Sequence, residues 1–140
     1  MFDKKNLAYI LTSLEAIEKI FIYTQKAENA DVFFDINNQM NFNACQILLL
    51  VVGEECKKIS KELKAEHDNI PWHLIVSLRN RIAHDYRSIN PYLSFDVIQN
   101  YLPELKKELI KMLQKVDYEQ TLLEKVLKTS YYKNIRYLLP

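Results

Sequence analysis

Apolar residues recur along this chain at intervals of three and four over long stretches, the spacing of one face of an α-helix. Leu7, Ile10, Leu11, Leu14, Ile17, Ile20 and Phe21 form the first such stripe. They predict a helix from about Asp3 to Tyr23, with Asp3 as its N-cap. Glu15, Glu18 and Lys19 fall off the stripe and are expected in solvent. A short helix follows within residues 27–35, anchored by Val32, Phe33 and Phe34, and a polar bend is expected over Asn37 to Asn43, because asparagine tolerates turn conformations. The third helix, about Gln39 to Leu63, has a different pattern. Ile47 to Val52 is apolar on every side, which predicts burial by the rest of the chain on one side and by a second chain on another. Lys57, Lys58, Lys61, Glu62 and Lys64 read as a solvated face.

Pro71 is pre-set for a first helical turn, with Asn69 as the expected cap. Trp72, Ile75, Val76, Arg79, Ile82 and Ala83 then recur at helical spacing. An arginine on an otherwise apolar face must be paired or face a cleft, since a lone buried charge is prohibitively costly. His67 and His73 read as exposed bystanders. Asn90-Pro91 ends this helix, and Ser94 is the expected cap of a last core helix, with Asp96 in its first turn. Its stripe runs through Val97, Ile98, Tyr101, Leu102, Leu105, Leu109, Met112, Leu113 and Val116. Pro103 lies inside that stripe and predicts a kink just before Leu102. Beyond Asp117, Leu122, Leu123, Val126 and Leu127 extend the helical pattern. The end of the chain interleaves Tyr131, Tyr132 and Tyr137 with Lys133 and Arg136; it is expected to dock by aromatic burial, with base stacking as the alternative.

Composition agrees with an all-helical chain. One Gly and four Pro in 140 residues are too few for a turn-rich, many-stranded fold, and 49% hydrophobic residues suffice for one core. A net charge of +1 excludes a global basic footprint for nucleic acid, though not a local one. Cys45 and Cys56 lie eleven positions apart on one expected helix, about 16 Å, too far for a disulfide. They read as buried core thiols. No Cys/His cluster has metal-ligand spacing, no apolar run is long enough to span a membrane, and no signal-peptide pattern opens the chain. A cytoplasmic protein that needs no cofactor is expected.

The usable chemistry is concentrated in Arg79-Asn80-Arg81-Ile82-Ala83-His84-Asp85-Tyr86. An arginine neutralises phosphate with a planar fork of donors, and a histidine carries a proton near neutral pH. On a helix Asn80 and His84 share a face, whereas Arg79 and His84 are offset by about 140°. Arg79 and His84 can serve one phosphate only if the helix ends or bends near His84 or if a second chain brings its own copy, and the second option is the better one. Arg79, four residues, His84, one residue, Tyr86 resembles the RX4HXY signature of HepT-type HEPN-domain ribonuclease toxins. Gly53-Glu54, Ile70-Pro71-Trp72 and Leu102-Pro103-Glu104-Leu105 resemble the family pattern in order and spacing, over roughly residues 5 to 115.

The resemblance implies an all-α, HEPN-type antiparallel helical bundle over residues 1–117, with a helical extension at 118–140. It implies a homodimeric, metal-independent endoribonuclease. Arg79 would stabilise transition-state charge, His84 would move protons, and Asn80 would position His84 or the phosphate; Glu54 would orient Arg79, or else be a carboxylate at the edge of the core, with Gly53 and Arg81 in support. It also implies a partner, a minimal nucleotidyltransferase antitoxin that transfers AMP to Tyr86. Two rival classes stand beside this reading: a non-catalytic HEPN module that only binds the nucleotidyltransferase, and a helical domain that binds a nucleotide through Arg79 and lysines. Intact Arg79 and His84 argue against the non-catalytic module, which does not need them; a ribonuclease assay on unmodified protein separates all three.

Overall fold

The periodicities become helices in the computed structural model, which describes residues 1–140. They are α1 (Lys5–Thr24), α2 (Ala30–Asp35), α3 (Met40–Lys58), α4 (Lys61–Ala65), α5 (Trp72–His84), α6 (Pro91–Asp96), α7 (Leu102–Leu113) and α8 (Gln120–Leu127). A 3-10 segment, Ser130–Leu138, follows α8. The chain is therefore an all-α helical bundle; outside it, one isolated bridge ties Phe2 to Val116.

The apolar stripe of α1 is buried along its length and packs on α3, which in turn packs on α5. Cys45, Leu49, Val52 and Cys56 recur at four, three and four residues and give α3 its inner seam. Each fully buried aliphatic side chain contributes about 1.5–3 kcal/mol by leaving water. Burial pushes both thiols up to about 12, so they stay protonated and behave as small apolar groups. The opposite side of α3 is not covered: Met40 and Ile47 are exposed, and Leu48, Leu50 and Val51 are half-buried.

Several expectations are corrected. The third helix does not run to Leu63. It stops at Ile59 because Asn6 captures Ser60, accepting from its backbone N–H at 2.9 Å and donating to its hydroxyl at 2.9 Å. Lys64 is not simply solvated; its ammonium bonds the freed carbonyl of Cys56 at 2.9 Å. The bend is confined to Asn37, Asn38 and Gln39, all left-handed, and α3 starts at Met40. Val32 is exposed, so Phe33 and Phe34 anchor α2 without it. Asp3 accepts from the Lys5 N–H at 2.8 Å although the helix begins after Lys4.

Glu15 is fully buried rather than solvated. Its carboxylate accepts from the Asn134 backbone N–H at 2.8 Å and from its side-chain amide at 2.7 Å. The segment after Asp117 thus lies against α1, with Leu123, Leu127 and Ile135 in the core. Its aromatics meet cations from other helices: Lys19 stands over Tyr131 and Lys106 over Tyr137.

Two caps also differ. Asn69 does not cap α5; it bonds Glu108. Asn90, not Ser94, caps the next helix by accepting from the Tyr92 N–H, while Ser94 is buried and donates to Gln46. Asp96 is accordingly the last residue of α6. The break before Leu102 exists, and its form is a π-helical turn at Val97–Tyr101, with Pro103 in the first turn of α7.

His67 is not a bystander. It is buried, and its Nδ1 lies 2.6 Å from a Glu108 carboxylate oxygen. The Trp72 indole donates to the His67 carbonyl at 3.1 Å, so this pair fixes the entrance to α5. His73 is exposed, as expected.

Candidate functional site

Helix α5 is amphipathic in three sectors. Ile75, Leu78 and Ile82 point into the core. One flank faces α3 and carries Arg79. The other carries Leu74 and Arg81. The ridge between the flanks, with Asn80 and His84, is exposed.

Gly53 is the only glycine in the chain, and its role is close approach. A methyl group there would run into the Arg79 Cβ and stand 3.0 Å from the Ile75 carbonyl. Its absence lets α3 and α5 touch, and so brings the next residue, Glu54, into an ion pair with the Arg79 guanidinium. The pair is made through Nε, and a terminal nitrogen, Nη1, donates to Asn80 Oδ1 at 2.9 Å. The arginine is therefore paired, as its position on an apolar face requires, and it is held in place rather than free to sweep.

Helix α5 ends at His84. Asp85 takes an extended conformation, its N–H still bonded to the Arg81 carbonyl at 2.9 Å. The chain then turns through Tyr86–Ser88, which brings the Tyr86 hydroxyl back to α3, where it donates to Asn43 Oδ1 at 2.5 Å. Partial burial pushes this phenol above its usual value, so it keeps its proton for that bond. Tyr86 is still 41% exposed, enough for a second protein to reach.

The candidate residues thus divide. Arg79, Gly53, Glu54 and Tyr86 lie on the α3 side, with Asn80 linked to them through Arg79. His84 stands exposed at the helix end with no hydrogen-bond partner in its own chain, and Arg81 belongs to the far flank. Asn43 was not singled out by sequence reasoning. Its only sequence signal is its place on the open face of α3, one turn from Ile47. No group of three or more His, Cys, Asp or Glu side chains is placed to hold a metal ion. No helix is long and apolar enough to cross a membrane.

The comparisons with known proteins give this helical bundle, with its Arg-x4-His motif at the end of α5, a class: ribonuclease. A family model described as "Ribonuclease HepT-like" matches residues 13–112. The chain belongs to this HepT-like ribonuclease family. It is 26% identical over 110 residues to "Putative RNase MJ1216" of Methanocaldococcus jannaschii, covering 79% of this chain and 88% of that protein. It is 27% identical over 104 residues to "Probable ribonuclease HepT" of Thermococcus cleftensis, covering 74% and 92%. A shorter match, 33% over 67 residues, reaches "Putative RNase TTE0752" of Caldanaerobacter subterraneus; it covers 48% of this chain and 60% of that protein. No solved structure matches significantly.

Proposed function

We propose that this chain is a metal-independent endoribonuclease, the toxin of a toxin–antitoxin pair, acting as a homodimer in the cytoplasm. The observation that carries the reading is the split site: Arg79 is fixed on one flank of α5 while His84 ends the helix exposed and unpartnered. A single chain offers one imidazole, and one imidazole cannot serve as base and acid in the same step. Two copies meeting through the open face of α3, around Met40 and Ile47, bring two arginines and two histidines to one cleft.

In that cleft one His84 removes the proton from a ribose 2′-hydroxyl, and the oxygen attacks the adjacent phosphorus. The bond to the 5′ oxygen breaks as the second copy's His84 gives that oxygen a proton. A 2′,3′-cyclic phosphate and a 5′-hydroxyl result. Arg79 meets the charge that develops on the phosphoryl oxygens, already oriented by Glu54 and Asn80. Arg81 adds local positive charge to a chain whose net charge is only +1.

A nucleotidyltransferase antitoxin would silence the site through Tyr86. Its phenol oxygen attacks the α-phosphorus of ATP, pyrophosphate leaves, and AMP remains on the tyrosine. The exposure of Tyr86 and its place on the Arg79 flank support this reading. The added phosphate would pair with Arg79 on the same flank and occupy the space the RNA phosphate needs.

The test is cleavage of RNA by purified, unmodified protein in EDTA. Activity that persists in EDTA and is lost in His84→Ala upholds the mechanism. Activity that requires magnesium, or survives in His84→Ala, sinks it. A sedimentation profile with only a 16.7 kDa species would remove the composite site.

A further inference from the structure

The flank of α5 that faces away from Glu54 borders a groove of about 610 Å³. Sites that enclose a small organic ligand commonly span about 300–1,000 Å³. The other wall is α6 and the π turn after it. Nothing in the reading above uses this space. We propose that the groove is a base-recognition subsite, which holds one nucleotide of single-stranded RNA beside the cleavage point and prefers guanine. The proposal rests on the ribonuclease reading and adds the choice of base to it.

Three observations select this occupant. The first is continuity with the chemistry. Ser77 and Arg81 line the groove, and Arg81 and His84 follow at helical spacing on neighbouring turns of α5. Arg81 thus joins the two places, lining the groove three residues before His84. Arg81 makes no ion pair with any carboxylate, whereas Arg79 is committed to Glu54. It is the free cation at the mouth of the groove, suited to the phosphate between the two nucleotides.

The second is the floor. Leu74 and Leu93 are exposed at 45% and 37%, and together with the Tyr101 ring they form an apolar surface open to solvent. The ring is locked because its hydroxyl donates to the Pro71 carbonyl at 3.2 Å. Burial pushes this phenol far above its usual value, so the ring stays neutral across the physiological range. Neutral aromatic and apolar surfaces are what unstacked bases settle on.

The third is the wall. Asp96 and Asn100 line the groove beside Glu104; the Asn100 side-chain amide donates to Asp96 Oδ1 at 2.6 Å, which leaves Asp96 Oδ2 and the Asn100 side-chain oxygen without a partner in the chain. A wall of acceptors suits a base with two adjacent donors on its pairing edge. Guanine, with its N1–H and exocyclic amine, is that base. A π turn puts this wall in place, and such turns recur at functional sites.

Titration of a fluorescein-labelled 2′-O-methyl RNA hexamer, which cannot be cleaved, reads the groove directly by anisotropy. The wild-type chain should bind a guanine-containing hexamer about ten-fold more tightly than the same hexamer with inosine at that position, because inosine lacks the exocyclic amine. Leu93→Glu should weaken binding about ten-fold, and Asp96→Ala should erase the difference between guanine and inosine. Sequencing of cleavage products from a randomised RNA should show a guanine preference at one flanking position in the wild type, flattened in Asp96→Ala. Thermal melting guards against unfolding of Leu93→Glu; Asp96 is exposed, so its variant stands as the second probe. Wild-type affinity and an unchanged cleavage profile in both variants would overturn the proposal. So would loss of nucleotidyltransferase binding in Leu93→Glu with RNA affinity intact, which would make the groove a protein-docking site. If the wild-type chain cleaves no RNA, the ribonuclease reading falls, while the hexamer titration still decides the groove.

Discussion

Two histidines flank α5, and they live in opposite surroundings. His67, before the helix, is 5% exposed and paired with a carboxylate at 2.6 Å. His84, at its end, is exposed and bonded to nothing in its chain. The first holds α5 against α7; the second is left free where the helix stops. Imidazole is suited to both tasks, and the surroundings alone decide which one it performs. His67 has its ring shut away from solvent and so cannot meet a substrate, and a histidine without partners adds little to folding.

The contrast breaks most sharply at His84. His84→Gln should lower RNA cleavage by about 10²–10⁴-fold, the usual range for a lost acid–base group, while the melting temperature stays within a degree or two. His67→Gln should do the reverse. Losing a buried hydrogen bond to a charged group costs about 1.5–3 kcal/mol, so the chain should melt earlier while each folded molecule still cleaves RNA. Differential scanning calorimetry beside a rate assay separates the two effects. A His67 variant that is stable but inactive would erase the distinction.

Acid sharpens the comparison further. The hydrogen bond from His67 holds Glu108 at about 2, against burial that pushes it up; Lys111 and Asn69 assist. The folded value lies below the ordinary 4.5, so the carboxylate contributes stability that is fully present above about pH 4.5. That contribution is lost as pH falls from there toward 2. Glu108→Gln should flatten this part of the stability profile, measured by urea denaturation at stepped pH. The smallest effect should come from Tyr86→Phe. It removes one exposed hydrogen bond to Asn43, about 0.5–1.5 kcal/mol, keeps cleavage, and escapes AMP transfer, which mass spectrometry of co-expressed protein would detect.

The helices were legible where periodicity alone decides them. The stripes of α1 and α7 and the motif on α5 needed no partner to be seen. What stayed hidden depended on residues far away in sequence. Ile59-Ser60 has neither Gly nor Pro to mark a break; Asn6 makes the break from 54 positions away. Glu15 looked solvated because its partner, Asn134, lies 119 positions on. His67 looked idle for the same reason. At the site, the Arg79 pairing followed from its charge on an apolar face, and Glu54 was named as its orienting group. The hold of Asn43 on Tyr86 was not foreseeable, because it depends on how the chain turns after α5 ends.

The π turn at Val97–Tyr101 has a consequence at the level of the gene. A π turn carries one residue more than the α-helix around it, so losing a single codon there, for instance that of exposed Gln99, would restore ordinary helical winding. Because the turn itself absorbs the extra residue, α6 and α7 would keep nearly the same register, and the change would fall on the residues between them, where Val97, Asn100 and Tyr101 line the groove. The bundle seam through Leu105, Leu109 and Met112 lies beyond the turn and would keep its register. One in-frame deletion can thus retune what lies beside α5 without touching the codons of Arg79 or His84, which makes insertion and deletion, more than point substitution, the economical route for this surface to diverge.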